Sequence, residues 1–266
     1  MNKDNINKGL YDQRFEKDSC GVGFICNIKG EKSGYVLKSG LTILKRLTHR
    51  SAVGADTKTS DGSGILIQIP DDFFRKVCSY SSINLPEKNN YGAGLVFLPT
   101  EKESYEVCKK VIVETIQEKK QIFLGFRKVP VDDSVIGETA RNCEPCFEQV
   151  FVGMGKVTKN GEDFEKQLFI IRKIIEKRIK EMNIKDGGKF YITNLSCRTL
   201  IYKGLMLPEQ IENFFPDLKD ESIKTAICMV HSRYSTNTFP SWNLSQPFRM
   251  LAHNGEINTI RGNINW

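Results

Sequence analysis

The chain of 266 residues is 39% hydrophobic and 27% charged, ordinary values for a globular protein long enough to bury a sizeable core. Its net charge of +7 comes from lysines and arginines scattered among carboxylates, with no basic stripe or interleaved aromatics, which argues against nucleic acid as a partner. No apolar run approaches the ~20 residues that span a bilayer, which argues against a membrane partner. The leader Met1–Ser19 carries eight charged residues and lacks the apolar core of a secretory signal. The eight cysteines are therefore expected as free thiols in a reducing cytoplasm.

After the leader, residues 20–28 read as a buried strand, and "NIKGEKSG" as a turn. Leu37, Leu41, Leu44 and Leu47 recur at helical spacing, which predicts an amphipathic helix over 35–48. The loop "HRSAVGADTKTSDGSG" follows, then the short strand "ILIQIP". In "DDFFRKV" the paired aspartates suit a helix N-terminus. "YGAGLVFLP" reads as another buried strand, and residues 101–119 as a helix with Tyr105, Cys108, Ile112 and Ile116 on one face. "QIFLGFRKVP" and "FEQVFVGMG" are expected to pair. The clearest helix is 161–182, striped by Phe164, Leu168, Ile171, Ile175, Ile179 and Met182. The runs "KFYITNLS", "RTLIYKGL", "KTAICMVHSR" and "FRMLAHNGE" are β-rich. Strand pairs with separate helices indicate α+β layers. The ending "GEINTIRGNINW" reads as a helix start without a closing element, so the chain is expected to stop inside a domain.

Three clusters stand apart from this pattern. Cys20 opens the first apolar run, either as a packed strand cysteine or as a nucleophile. A thiol needs a base or a depressed pKa, and there are only three histidines, with no Cys-His-Asn signature. Were residues 1–19 removed, the new α-amino group of Cys20 would supply a base with a reference pKa of ~7.7–8.0. In "HSRYSTNTFPSW" an apolar strand ends in His231, and Arg233 is followed by hydroxyl side chains. That is either a carboxylate receptor or a polar loop. In "LAHNGEINT" the pair Asn254–Gly255 is either a tight turn or two N–H donors converging on one point, as an oxyanion hole requires. "CEPC" at 143–146 has ligand spacing but no second pair to complete a tetrahedral site, so two loop cysteines are expected and no metal.

The blocks "DSCGVGF", "LTHRSAVGADTKTSDGSGILIQIP", "HSRYSTNTFPSW" and "LAHNGEINTIRGNINW" together resemble the amino-terminal glutaminase region of glutamate synthases, within the class II glutamine amidotransferases. The likeness runs from Cys20 to Trp266. It implies an N-terminal-nucleophile hydrolase, a four-layer αββα sandwich incomplete at its C-terminal end, with 1–19 a propeptide and 20–266 the amidotransferase domain.

By the same resemblance Cys20 is the nucleophile and Arg233 holds the α-carboxylate of L-glutamine with help from Thr236. Asn254 and Gly255 form the oxyanion hole, and Arg50 orders the loop beside the nucleophile. Glutamate and ammonia would be the products, the ammonia serving reductive amination of 2-oxoglutarate in a synthase region of the same polypeptide. FMN and an iron–sulfur cluster are expected in that region and none in this segment, with a small electron-donating subunit as a further partner. The segment alone is expected to hydrolyse glutamine poorly, because the family's aspartate for the α-amino group lies past "HNGE". The alternative is a folded, non-catalytic fragment or paralogue that binds a partner.

Overall fold

The computed structural model describes residues 21–233 and 239–248. Eight strands form two four-stranded antiparallel sheets. The first contains β1 (Val22–Cys26), β2 (Ser63–Gln68), β7 (Thr199–Gly204) and β8 (Ile227–Ser232), in the order β1-β8-β2-β7. The second contains β3 (Tyr91–Leu98), β4 (Ile122–Lys128), β5 (Cys146–Gly153) and β6 (Tyr191–Ile192), in the order β4-β5-β3-β6. "QIFLGFRKVP" and "FEQVFVGMG" do pair, as β4 and β5.

The helices are α1 (Gly34–Arg46), α2 (Asp71–Ser79), α3 (Lys102–Glu118), α4 (Glu138–Asn142), α5 (Gly161–Met182) and α6 (Ile211–Phe214). Local chemistry sets their ends. Asn160 caps α5 by accepting from the N–H groups of Glu162 and Asp163 at 3.0 and 2.9 Å, and two acids in the first turn suit the helix dipole. The helix closes at Asn183, whose left-handed backbone (φ 47°) ends the repeat. The stripe Phe164, Leu168, Ile171, Ile175 and Ile179 is buried, while Met182 at the last position is half exposed. The helix predicted over 35–48 ends earlier, at Arg46, and a separate turn of 3₁₀ helix follows over Thr48–Arg50.

Strand β3 is buried on both faces, and its alternation divides the core. Tyr91, Ala93, Leu95 and Phe97 join a cluster with α1, α2, α6, Trp242 and the first sheet. Val96 and Leu98 join a second cluster with α3 and α5. Two antiparallel sheets with helical layers against them are the α+β combination that the N-terminal-nucleophile hydrolase fold implies.

A buried polar network ties the sheets together. Arg127 of β4 forks onto Asp217 with bonds of 2.8 and 2.7 Å and also donates to Gln149 of β5 at 2.7 Å. Tyr202 of β7 donates to Asp217 at 2.9 Å and accepts from Gln149 at 2.9 Å.

One predicted strand is corrected. In "KFYITNLS" only Tyr191–Ile192 is strand, because side chains take over the backbone partners that follow. Asn194 accepts from the N–H of Ile201 and donates to the carbonyl of Thr199. Ser196 accepts from the N–H groups of Arg198 and Thr199. Local side-chain bonds of this kind compete with a ladder and turn the chain.

Candidate active site

The first sheet brings the ends of its four strands together on one side. The register pairs Val22 with His231, Ser63 with Ser232, and Ser63 with Gly204. The start of β1, the end of β8, the start of β2 and the end of β7 therefore lie side by side. Beyond the ladder, the N–H of Ser232 donates to the carbonyl of Gly21 at 2.7 Å, and the N–H of Arg233 donates to the carbonyl of Gly62 at 2.8 Å. Gly21 directly follows Cys20 in the chain. A Cβ at Gly21 would lie 2.0 Å from the Ser232 carbonyl oxygen, so this close approach needs glycine.

Of the residues singled out in the sequence, Arg233 is described. Cys20, Thr236, Asn254 and Gly255 lie outside the described residues. The Arg233 guanidinium is half-buried and reaches the carbonyl of Asp61 at 3.4 Å. Burial draws its pKa below the ordinary value, with the Asp61 charge opposing that shift. Arg50 ends the 3₁₀ turn directly before Ser51, whose hydroxyl lies 2.7 Å from that of Ser232. Arg50 thus neighbours a contact that joins its loop to the end of β8.

The loop 51–62 is braced along its length. Asp56 accepts from the N–H of Thr139 at 2.9 Å, the hydroxyl of Thr59 at 2.7 Å and the N–H of Lys58 at 3.0 Å. Those bonds, that of the Thr139 N–H foremost, hold its carboxyl down to about 2. The hydroxyls of Ser60 and Ser63 both donate to the carbonyl of Met206, at 2.7 and 2.9 Å. Loop geometry of this kind is carried by Ser, Thr and Asp in "GADTKTSDGSG", a composition signal that sequence reading assigned only to a loop.

His231 is a neighbour of this edge, and its Nδ1 has no hydrogen-bond partner among the described residues. Burial first, then the Arg233 charge, lowers its pKa to about 4. Its unfolded value is ~6.5, so the unfolded chain takes up the proton first as pH falls. Stability is lost between pH ~6.5 and ~4, by up to about 3 kcal/mol. Glu144 acts oppositely: burial foremost raises its pKa to about 7, so its contribution is lost as pH rises through that same region. We expect His231→Gln to unfold with less acid sensitivity than its parent in this window. Urea midpoints at pH 7 and pH 5 measure the difference, and parallel shifts in both proteins would contradict it.

Cys143 and Cys146 are free thiols, one at the end of α4 and one opening β5. The described residues gather no group of three or more metal-ligating side chains. No described helix is long and apolar enough to cross a membrane.

A family model described as glutamine amidotransferases class-II matches residues 20–266. The chain is 45% identical over 259 residues to the glutamate synthase (NADPH) large chain of Bacillus subtilis (strain 168), a match that covers 97% of this chain and 17% of that protein. It is 45% identical over 257 residues to the corresponding large chain of Azospirillum brasilense, covering 96% of this chain and 17% of that one. It is 40% identical over 251 residues to the chloroplastic ferredoxin-dependent glutamate synthase of Oryza sativa subsp. japonica, covering 94% and 15%. The chain thus spans 17% or less of the length of these three relatives.

Proposed function

Because the chain belongs to the class II glutamine amidotransferases, we propose that it is the glutaminase portion of a glutamate synthase, releasing ammonia from L-glutamine. The observation that carries this is the bond between Gly21 and Ser232. Gly21 is bonded in the chain to Cys20, and Ser232 to Arg233, so nucleophile and carboxylate receptor flank one hydrogen bond.

In this reading removal of residues 1–19 frees the α-amino group of Cys20. The thiol of Cys20 gives its proton to that amine, and the resulting thiolate attacks the side-chain amide of glutamine while Arg233, with Thr236, holds the α-carboxylate through charge-assisted bonds. Negative charge developing on the amide oxygen falls to the side-chain NH₂ of Asn254 and the N–H of Gly255. The C–N bond breaks as the α-amino group of Cys20 passes its proton to the leaving ammonia. Water then cleaves the γ-glutamyl thioester, giving glutamate and restoring the thiol. The braced loop from Ser51 to Gly62 gives Arg233 a fixed backbone seat.

The ammonia would serve the amination of 2-oxoglutarate in a synthase region of the same polypeptide. That region would hold FMN and an iron–sulfur cluster, which supply the electrons, with a small electron-donating subunit as partner. We place the protein in the cytoplasm.

The test is covalent labelling with a diazoketone analogue of L-glutamine, followed by peptide mapping. A single adduct on Cys20 is expected. Labelling of another cysteine, or none, would overturn the reading and favour a non-catalytic, partner-binding role. Arg233→Met should lower kcat/KM for glutamine by about 10²-fold, mainly through KM, since a charge-assisted pair is worth ~1.5–3 kcal/mol. An unchanged KM would remove Arg233 from the substrate site.

A further inference from the structure

The turn Ser60–Asp61–Gly62 holds Arg233 at two points. The backbone N–H of Arg233 donates to the carbonyl of Gly62 at 2.8 Å, and Nη1 of its guanidinium reaches the carbonyl of Asp61 at 3.4 Å. The two acceptors are consecutive carbonyls, so a change in the turn reaches the backbone and the guanidinium of Arg233 together. The Asp61 side chain is buried as well, and its charge opposes the effect of burial on the guanidinium.

The shape of this turn comes from Ser60. Its buried hydroxyl accepts from the N–H of Gly62 at 3.2 Å and donates to the carbonyl of Met206 at 2.7 Å. A serine oxygen that accepts two residues further on closes a turn of its own, and the second bond fastens that turn to the chain just after β7. The N–H of Asp61 adds a bond to the carbonyl of Ala52 at 3.3 Å. Gly62 completes the bend at φ +116°, a left-handed conformation open to glycine. Its far side is packed, since a Cβ there would lie 2.5 Å from Cβ of Ser245 and 2.9 Å from the carbonyl oxygen of Gly204. Ser245 is itself fastened by Lys203 of β7, whose buried Nζ donates to the carbonyls of Ser245 at 2.7 Å and Asn243 at 2.9 Å.

We propose that Ser60 is a positioning residue for substrate binding: its hydroxyl sets the turn whose two carbonyls aim the Arg233 guanidinium at the α-carboxylate of glutamine. This rests on the glutaminase reading above, in which Arg233 is the carboxylate receptor. Ser60 touches neither the substrate nor a reacting atom. It acts through the carbonyls of Asp61 and Gly62.

That role confines the loss to binding. A misaimed arginine holds glutamine less well in the ground state and the transition state alike, so KM rises while kcat holds. Ser60→Ala, in the polypeptide as its gene encodes it, should raise KM for glutamine by about tenfold and leave kcat within about twofold. Ser60→Thr keeps the hydroxyl and should stay within about threefold of the parent KM. A double-mutant cycle with Arg233→Met separates aiming from general damage. In that background Ser60→Ala should change KM by less than about twofold, because the group it aims is already gone. A fall in kcat at unchanged KM, a rise in KM of the same size with and without Arg233, or equal rises in the Ala and Thr variants overturns the proposal. So does failure of Ser60→Ala to fold, since Ser60 would then hold the core rather than the receptor. A parent protein that does not hydrolyse glutamine contradicts the glutaminase reading itself. A parent that does, with Ser60→Ala matching it, contradicts only the role of Ser60.

Discussion

Cys20→Ala is expected to lower glutamine hydrolysis by about 10⁴-fold or more, because removing a covalent nucleophile leaves only binding and oxyanion stabilisation. The loss should be specific to this thiol. Cys26 lies six residues further on, at the far end of the edge strand β1, and is an exposed free thiol. Cys26→Ser should keep the parent rate. Cys20→Ser is the sharper comparison, since a hydroxyl retains the shape but is a much weaker nucleophile at neutral pH. Glutamine turnover measured by ammonia release separates the three variants. Near-parental turnover by Cys20→Ala would remove the thioester from the mechanism. Equal losses in the Cys20 and Cys26 variants would point to a general disturbance of β1 instead.

The largest effect on stability is expected at Asp217. Its carboxylate receives the bidentate fork of Arg127 and the hydroxyl of Tyr202, and both members of the ion pair are less than one tenth exposed. Asp217→Ala leaves a guanidinium buried without its counter-charge, a change that typically costs ~3–5 kcal/mol. Natural domains are stable by only ~5–15 kcal/mol, so the variant should unfold at a much lower urea concentration. The companion variant Arg127→Met with Asp217→Leu removes both charges and should recover most of that loss, because an apolar pair of similar volume avoids the desolvation cost. If single and double variants unfold alike, packing rather than charge compensation holds the two sheets at this point.

Much of the fold was legible because its elements are amphipathic. The stripe from Phe164 to Ile179 predicted α5 to its observed bounds, whereas the capping roles of Glu101 and Asn160 emerge only in the structure. "KFYITNLS" misled because its β-branched and aromatic residues suit a strand, while Asn194 and Ser196 spend their polar atoms on turning the chain. The proposed site rests on motifs that carry chemistry in their own residues, and of these residues the structure describes Arg233. Cys20, Arg233 and Asn254–Gly255 each announce a donor or a nucleophile in the sequence. Lys203 announces nothing. Within the β-rich run "RTLIYKGL" it carries no signal of its own, and its partners lie 40 and 42 residues further on. Asp56 is similar: its brace to Thr139 spans 83 residues and shows only when loop and α4 meet.

The whole mechanism depends on a free α-amino group at Cys20. Its most direct test is the intact mass of the protein purified from the full gene. The account predicts a loss equal to Met1–Ser19, leaving Cys20 as the first residue. A mass that retains those residues would contradict it, because the proposed base would be locked in a peptide bond and Cys20 would have no proton carrier of its own.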